Sequence, residues 1–593
     1  MNRRSLLFLA TGLSVVAVVL AVSGGFRDTL GGLRLSARSS VPAWISALVL
    51  VAVWYVVARK ANAVSRDLED TWRLLDRHTS IITLTIAIAS GTVAALYATF
   101  AAAGADASGY LSEAELFTSG RLFYRDTLAP ITGGWQTGLT APLGWRPAPL
   151  EGFQSPTYAP GLPMLMAIPY WAGGPVAACG VVIVSAVIAV WSTGMIAMRL
   201  AGGAAAIVAA VTLAVCPVFL FQSVQPMSDV PVTAAWMLCW WLLVRIDKPA
   251  GGDKPTGGDK RSGLSFPSGV ACAVAILIRP NLAPLAVVPL ALISLRPSAF
   301  SLRLRRAVAF SWPVALAGLA LLWLQWQWYG SPVRSGYGTA EELFAFASVW
   351  PNAVFYLHWL GSTAPIMFVA PIGLWLLRGE RLTWALAVFA ALVVAAYLVY
   401  AVFEDWSYLR FLLPALAVGS VFVGVVAARM IAGFPIASRA AVSLAALLAI
   451  AAAGIANARA LDAFDLEEDH RRIVQLGEHL NGTMPGDAVI VAGEQSGSMR
   501  YYTSRPIIRW EAASPDDLTR ALTALETGGR PVWIVLDAWE NELFRTKFAS
   551  VAQAALDWPP AFIAGTTQRT SAWQLSDRDR FVKGESVKTE RLP

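Results

Sequence analysis

Apolar residues in this chain gather into long runs with short polar breaks. About thirteen of the runs approach the ~20 residues that one membrane crossing needs. They centre near 6–23, 42–58, 80–103, 176–198, 202–222, 230–245, 264–278, 281–295, 307–329, 353–377, 383–403, 411–428 and 440–457. The pattern predicts a polytopic α-helical membrane protein. The runs at 264–278 and 281–295 are short, and Arg279-Pro280-Asn281 interrupts them, which predicts tilted or broken helices. Met1-Asn-Arg-Arg followed by an apolar stretch ending at Ala21-Val-Ser23 has the form of a signal peptide. A retained first helix is expected instead, because the next run follows so soon.

From Ala458 the long runs stop, and shorter periodic segments replace them. Helical spacing over 466–480, 495–503 and 515–526 alternates with strand-like runs at 488–492, 506–510 and 532–536, and a helical stretch follows from Trp539. This alternation predicts a small parallel-sheet α/β domain. The expected organisation is a two-helix membrane extension (1–79), a transmembrane core (80–457) with a large first outer loop (104–175), a soluble α/β domain (458–577) and a charged, disordered tail (578–593).

Composition agrees with the runs. Of 593 residues 56% are hydrophobic and 14% charged, with a mean hydropathy of +0.56, whereas soluble domains run near a quarter charged. The net charge of +7 is distributed by side. With the N-terminus inside, inner loops hold Arg59, Lys60, Arg66, Arg73, Arg77, Lys248, Lys254, Lys260, Arg261, Arg303, Arg305, Arg306, Arg378, Arg381, Arg429 and Arg439, and outer loops hold far fewer. The positive-inside bias supports this orientation, and an odd number of crossings then puts the C-terminal domain outside. Nothing in this pattern calls for nucleic acid. Cys179, Cys216, Cys239 and Cys272 all lie within apolar runs with no CxxC pair, and the four histidines are scattered. The repeat of Gly, Asp, Lys and Pro at 247–263 reads as a flexible inner linker.

No P-loop, GxSxG, HExxH or CxxC is present, and no GxGxxG follows a strand. Candidate chemistry is left to polar residues at the outer ends of the runs. Asp106 follows the uncharged stretch 80–103, where a carboxylate at the membrane lip needs a task or a partner. Tyr110, Ala114 and Phe117 then predict a short surface helix with an apolar side down. Ser228-Asp229 falls in a second outer turn, Arg279 in a third, and Glu404-Asp405-Trp-Ser-Tyr408-Leu-Arg410 in a fourth. Each admits a plain reading. Asp106 and Asp229 could cap helices, Arg279 could snorkel to headgroups, and Glu404 or Asp405 could simply pair with Arg410. Four outer turns carrying such residues at one level also fit a single site.

Asp106 with Tyr110 and Ala114 resembles the first-loop signature of the GT-C membrane glycosyltransferases. The closest likeness is to bacterial protein O-mannosyltransferase-like and aminoarabinose-transferase-like enzymes. Ser155-Pro-Thr-Tyr158-Ala-Pro-Gly resembles their Pro-rich loop end, Ser228-Asp229-Val-Pro231 their second acidic turn, and Ile-Arg279-Pro280 and Tyr408-Leu-Arg410 two later basic motifs. The resemblance covers about 80 to 510. Two departures stand out. Residues 1–79 precede the usual first span, and the common acidic pair is here Asp106-Ala107, which leaves a helper acid unidentified.

The resemblance implies a GT-C-like fold and an inverting transfer of a hexosyl or pentosyl group. The donor would be a polyprenyl-phosphate sugar, and the acceptor a glycan, lipid or protein at the outer face of a bacterial cytoplasmic membrane. Asp106 would be the general base. Tyr110, Tyr158, Asp229, Arg279, Glu404, Asp405, Tyr408 and Arg410 would bind donor or acceptor, with the two arginines on the leaving phosphate. No metal ligand is assigned, and the cofactor stays open between none and a divalent cation. Loop 331–350, with Arg334 and Tyr337, would act as a lid that admits the prenyl chain beside membrane lipids. A transporter or flippase is the competing class, since intramembrane acids and broken helices suit it equally.

Overall fold

The computed structural model describes residues 3–23, 26–30, 33–37, 39–132, 138–246, 262–296 and 299–592. Each of the thirteen expected spans falls on a helix or a bent helix pair. Among the described residues, however, seven helices are long and apolar enough to cross a membrane, or nine if each bent pair counts as one span. The shortfall has a physical cause. Asp229–Val244, Ser265–Ile278 and Pro280–Ser294 are shorter apolar segments. At 1.5 Å per residue the first of these reaches only ~24 Å. It is buried along nearly its whole length, so it meets other helices instead of lipid. The repeat at 247–261 lies outside the described residues.

Breaks in these helices follow the sequence. Ser265–Ile278 ends where Arg279 leaves helical geometry (φ −137°, ψ 89°) and Pro280 opens a 3-10 turn. The long helix Gly161–Ala201 is kinked at Gly173 and Gly174, the latter at φ +69°, just before Pro175. Phe346–Thr363 and Pro365–Leu376 meet at 108°. Gly161 permits one close crossing: a Cβ there would stand 2.3 Å from the Ile278 amide nitrogen. That contact fixes the outer end of Gly161–Ala201 against the break at Arg279.

The segment 104–175, expected as the first outer loop, is a built structure. Tyr124–Arg125, Phe153–Pro156 and Trp145–Pro147 form an antiparallel sheet. Buried Asp126 staples it, accepting from the Leu128 and Ala129 amides, Thr140 Oγ1 and Gln154 Nε2. The segment Gly104–Thr118, hereafter the site helix, was expected to lie on the surface with one apolar side down. Instead Ala107 to Ala114 are all buried, because the C-terminal α/β domain, hereafter the outer domain after its expected side, covers the face that the membrane helices leave open.

That domain carries every helix and strand read from the sequence between 466 and 547, each within two or three residues. Its sheet is mixed and six-stranded, where a parallel sheet was expected. Val489–Ala492 pairs in parallel with Ile507–Arg509 and Val532–Asp537, but Thr570–Gln574 and Phe562–Ala564 continue the sheet in antiparallel register. The tail is also ordered where disorder was expected. Leu575–Val582 is a helix, Arg578 and Arg580 pair with Asp557, Asp577 and Glu585, and Glu590–Arg591 adds a strand beside Phe562–Ala564. Arg578 and Arg580 are matched by carboxylates, so the number of charges did not prevent folding.

The short helix Ser496–Thr503, hereafter the docking helix, joins the outer domain to the rest. A Cβ on Gly497 would stand 2.3 Å from Ser108 Oγ on the site helix. Ser496 Oγ accepts from the Leu143 amide (3.0 Å), and the Tyr502 hydroxyl accepts from the Ala102 amide (2.7 Å). Tyr501 meets Tyr170 hydroxyl to hydroxyl at 3.0 Å. Arg500 lies flat between Tyr124 and Trp145, 3.5 and 4.2 Å from their ring centres. Stacking of this kind suits a guanidinium that has left water.

Candidate active site

Two arginine–carboxylate pairs stand at one common end of the membrane helices. Arg410 Nη2 donates to Asp106 Oδ2 at 3.0 Å. Arg279 Nη2 donates to Asp229 Oδ1 at 2.5 Å, Nη1 donates to the Tyr397 hydroxyl at 2.9 Å, and Ser228 Oγ lies 3.4 Å away. The helix break at Arg279 is what frees its side chain to turn inward. Phe411 separates the two guanidiniums, 5.1 Å from Arg279 and 5.4 Å from Arg410, and stacks on Tyr397. The negative ring faces steady both cations without adding a competing charge.

The pairs differ in what they leave free. Asp229 is 0% exposed and Arg279 11%, so this pair is an interior pin with its donors taken by protein. Asp106 is 29% exposed and Arg410 14%. Arg410 Nε is buried and has no partner. A buried guanidinium N–H without an acceptor is costly unless a ligand supplies one.

A cavity of about 520 Å³ opens on the Asp106–Arg410 pair. Asp106, Tyr110, Tyr158, Arg279, Tyr408 and Arg410 all line it, so six of the nine residues named from the sequence converge there. Tyr110 packs on Tyr158, and Tyr337 meets Tyr158 edge-on. Tyr337 and its neighbours in loop 331–350 form one wall, and Leu321, Leu322 and Gln325 form another on a helix whose adjoining Leu319, Trp323 and Trp326 are exposed. The cavity therefore runs from charged groups at the helix ends toward an exposed apolar helix face.

The plain readings give way here. The site helix has Ala103 at its cap position, and Asp106 sits inside its first turn. Asp229 likewise begins its helix as an ion-pair partner, with Ser228 at the cap position. Arg279 points into the protein. Asp229 stands behind the cavity, holding Arg279. Glu404 is exposed, and Asp405 caps the turn at Trp406–Leu412 by accepting from the Ser407 amide at 2.8 Å; neither lines the cavity. Among the described residues no group of three or more His, Cys, Asp or Glu is placed to hold a metal ion. Asp106 and Asp229 each face a guanidinium instead.

Sequence reasoning missed Tyr329, Tyr397, Tyr400 and Phe403 as cavity residues. They sit at the ends of apolar runs, where aromatic residues are common at any membrane interface, so no local signal marked them. It also missed Glu113 and Glu494. Glu113 is wholly buried with both oxygens unpartnered, and burial holds its carboxyl well above the usual range. Glu494 was findable, since it directly follows a buried strand of an α/β domain.

Fold and cavity together define a multi-pass membrane protein with the GT-C glycosyltransferase fold. Solved structures of that fold superpose over most of the chain. One is the aminoarabinose transferase ArnT of Cupriavidus metallidurans, bound to undecaprenyl phosphate. It is 12% identical with a TM-score of 0.50, over 83% of this chain and 97% of that one. Another is the oligosaccharyltransferase AglB of Archaeoglobus fulgidus, in complex with an inhibitory peptide and a dolichol-phosphate. It is also 12% identical with a TM-score of 0.50, over 80% of this chain and 71% of that one. No protein-family model and no curated protein sequence matches the chain.

Proposed function

We propose that this protein transfers a sugar from a polyprenyl-phosphate carrier to an acceptor at the outer face of a bacterial cytoplasmic membrane. The observation that carries the reading is the unengaged Nε of Arg410, buried at the wall of a cavity beside the Asp106 carboxylate. One guanidinium so placed spans a base and an anion. Its Nη2 keeps Asp106 in place while Nε meets a phosphate oxygen. The cavity's apolar end, toward Leu321 and Leu322, suits the first units of a prenyl chain.

In this scheme Asp106 takes the proton from the acceptor hydroxyl as that oxygen attacks the anomeric carbon. The bond from that carbon to the phosphate breaks, and Arg410 stabilises the departing charge. Arg279 contributes positive potential from behind Phe411, and Asp229 holds it in place. Inversion follows if attack and departure occur on opposite faces in one step. Fixed guanidiniums supply the countercharge in this scheme, so it routes no step through a metal. Tyr110, Tyr158 and Tyr337 offer faces and hydroxyls to the sugar. The sign of the loop charges supports an outward-facing site.

Mass spectrometry of lipids and envelope glycans from a deletion strain tests the reading. A sugar missing from the finished glycan, with its lipid-linked donor accumulating on the outer leaflet, is the expected result. A donor trapped on the inner leaflet would assign the protein to flipping instead.

A further inference from the structure

Each turnover of the proposed reaction leaves one proton on Asp106, and the carboxylate must lose it before the next acceptor arrives. Arg410, on one side, has only donors to offer. Besides the cavity, the outer domain packs over a further side of the site helix. There the strand order changes direction, because Ile507–Arg509 flanks Val489–Ala492 on one edge and Val532–Asp537 on the other. Open α/β sheets gather working side chains at the carboxyl ends of the strands beside such a switch. Glu494 lies at this point, directly before the docking helix.

The crevice faces the site helix. Glu494 Oε1 is 3.8 Å from where a Cβ on Gly104 would stand, and the Gly104 amide meets Gln495 Oε1 at 3.4 Å. Asp106 follows two residues later in the same turn. The backbone of Glu494 is fixed, with its amide donating to Glu540 Oε1 at 3.0 Å. Glu540 in turn accepts from Trp510 Nε1 and from the Asp537 amide. Gln495 Nε2 donates to Asp537 Oδ2 at 2.9 Å, so Asp537 is engaged within the domain. The charged groups acting on Glu494 are Glu511, Glu540 and Asp537 from its own domain and Asp106 from the site helix, and the Tyr408 hydroxyl lies in the same field. Burial first, then these four acids, push Glu494 up to about 7.

Resting on the transfer reaction above, we propose that Glu494 is the proton's next station after Asp106. The acceptor O–H bond breaks as its oxygen joins the anomeric carbon, and the phosphate leaves with the electron pair of the old bond. The proton goes to the Asp106 carboxylate, then to the Glu494 carboxylate, then to outer water. Both acids return to their starting charge. Glu494 acts through Asp106 and touches neither sugar nor lipid, so it is a positioning residue for the proton. A group that titrates near the working pH can both accept and release it.

The test uses the full chain in lipid nanodiscs, with the pool of lipid-linked sugars and acceptors extracted from its own membranes. Binding of undecaprenyl phosphate reports the folded site. Glu494→Gln should keep that binding within about twofold, lower kcat by about tenfold or more, and remove the limb of the pH–rate profile near 7. Glu494→Asp should restore part of the limb. An unchanged kcat and limb in Glu494→Gln would overturn the relay, and so would loss of undecaprenyl phosphate binding, which assigns Glu494 a structural role. Infrared titration of the Glu494 carboxyl, taken as wild type minus Glu494→Gln, needs no turnover. Its midpoint should drop in Asp106→Asn, because one negative neighbour is gone. A midpoint indifferent to Asp106→Asn overturns the relay even where transfer is confirmed. If wild type moves no sugar, the proposed function fails, and the infrared shift alone decides the coupling.

Discussion

Arg410 and Asp106, 304 positions apart in the chain, meet at 3.0 Å with Arg410 Nε still unengaged. Removing either partner should therefore cost activity more than folding. Asp106→Asn is expected to lower sugar transfer at least ~100-fold, the usual scale for loss of a general base. Because Asp106 does not cap its helix, the melting temperature should hardly move. Arg410→Ala should act similarly, and Arg410→Lys should recover only part, since an ammonium has no fork to share between two anions. Transfer measured at equal folded concentration decides. An Asp106→Asn enzyme within a few-fold of wild type would remove the base.

The Asp229–Arg279 pair should behave the other way. Asp229 is wholly buried, so Arg279→Ala strands a charge where water cannot reach it. Breaking one partner of a buried pair costs roughly 3–5 kcal/mol. Thermal unfolding in detergent should show a larger loss for Arg279→Ala than for Arg410→Ala. Equal losses would mean that Asp229 finds water or another donor.

Gly497 tests the contact between domains. Its added Cβ in Gly497→Ala would also stand 2.7 Å from the Leu143 carbonyl oxygen, a backbone atom that cannot step aside cheaply. The docking helix should lift from the site helix and shift Asp106. Misplacement by about 1 Å can cost ~100-fold in rate. Insertion into the membrane should be normal, while limited proteolysis should release the outer domain faster. Wild-type transfer with wild-type proteolysis would show that the contact yields without effect.

His470 gives a pH signature. Burial, with Arg472 beside it, pushes its imidazole down to about 4 from an ordinary 6.5. The unfolded chain therefore binds more protons than the folded one between these values. This contribution is full above about pH 6.5 and is lost as pH falls toward 4. Wild type should lose stability over that window relative to His470→Gln, measured as the difference between their melting curves. Parallel curves would refute the downward shift of the His470 imidazole.

Orientation can be read by labelling. The four natural cysteines are all buried, so single cysteines can be introduced against a quiet background. Positions 130 and 520 should react from outside and 255 only from inside. Labelling of 520 solely after lysis would reverse the topology and the outward-facing site with it.

Much of this was legible in the sequence because membrane physics leaves few options. A run of apolar residues must be helical, and Arg279-Pro280 must break one. Asp106, Arg279 and Arg410 could be placed at one level from charge and run length alone. Which acid meets which arginine could not be read. Glu404 and Asp405 both lie near Arg410 in sequence and either could have paired with it, yet Glu404 is exposed and Asp405 accepts from the Ser407 amide. The burial of the site helix was invisible for a similar reason: its cover comes from residues near 500. The antiparallel strands after 560 are short and follow Pro559-Pro560, so local pattern said little about them.

The docking helix also sets an order of events. Chains are made and inserted from the N-terminus, so the Asp106 helix is made long before residues 496–503 exist. Until they emerge it lacks one wall, and the Gly104 turn lacks its contact with Gln495. A nascent or truncated chain would sit in the membrane with its helices threaded and its reaction centre incomplete. In the proposed scheme the site is therefore complete only once residues 496–503 have been made and docked.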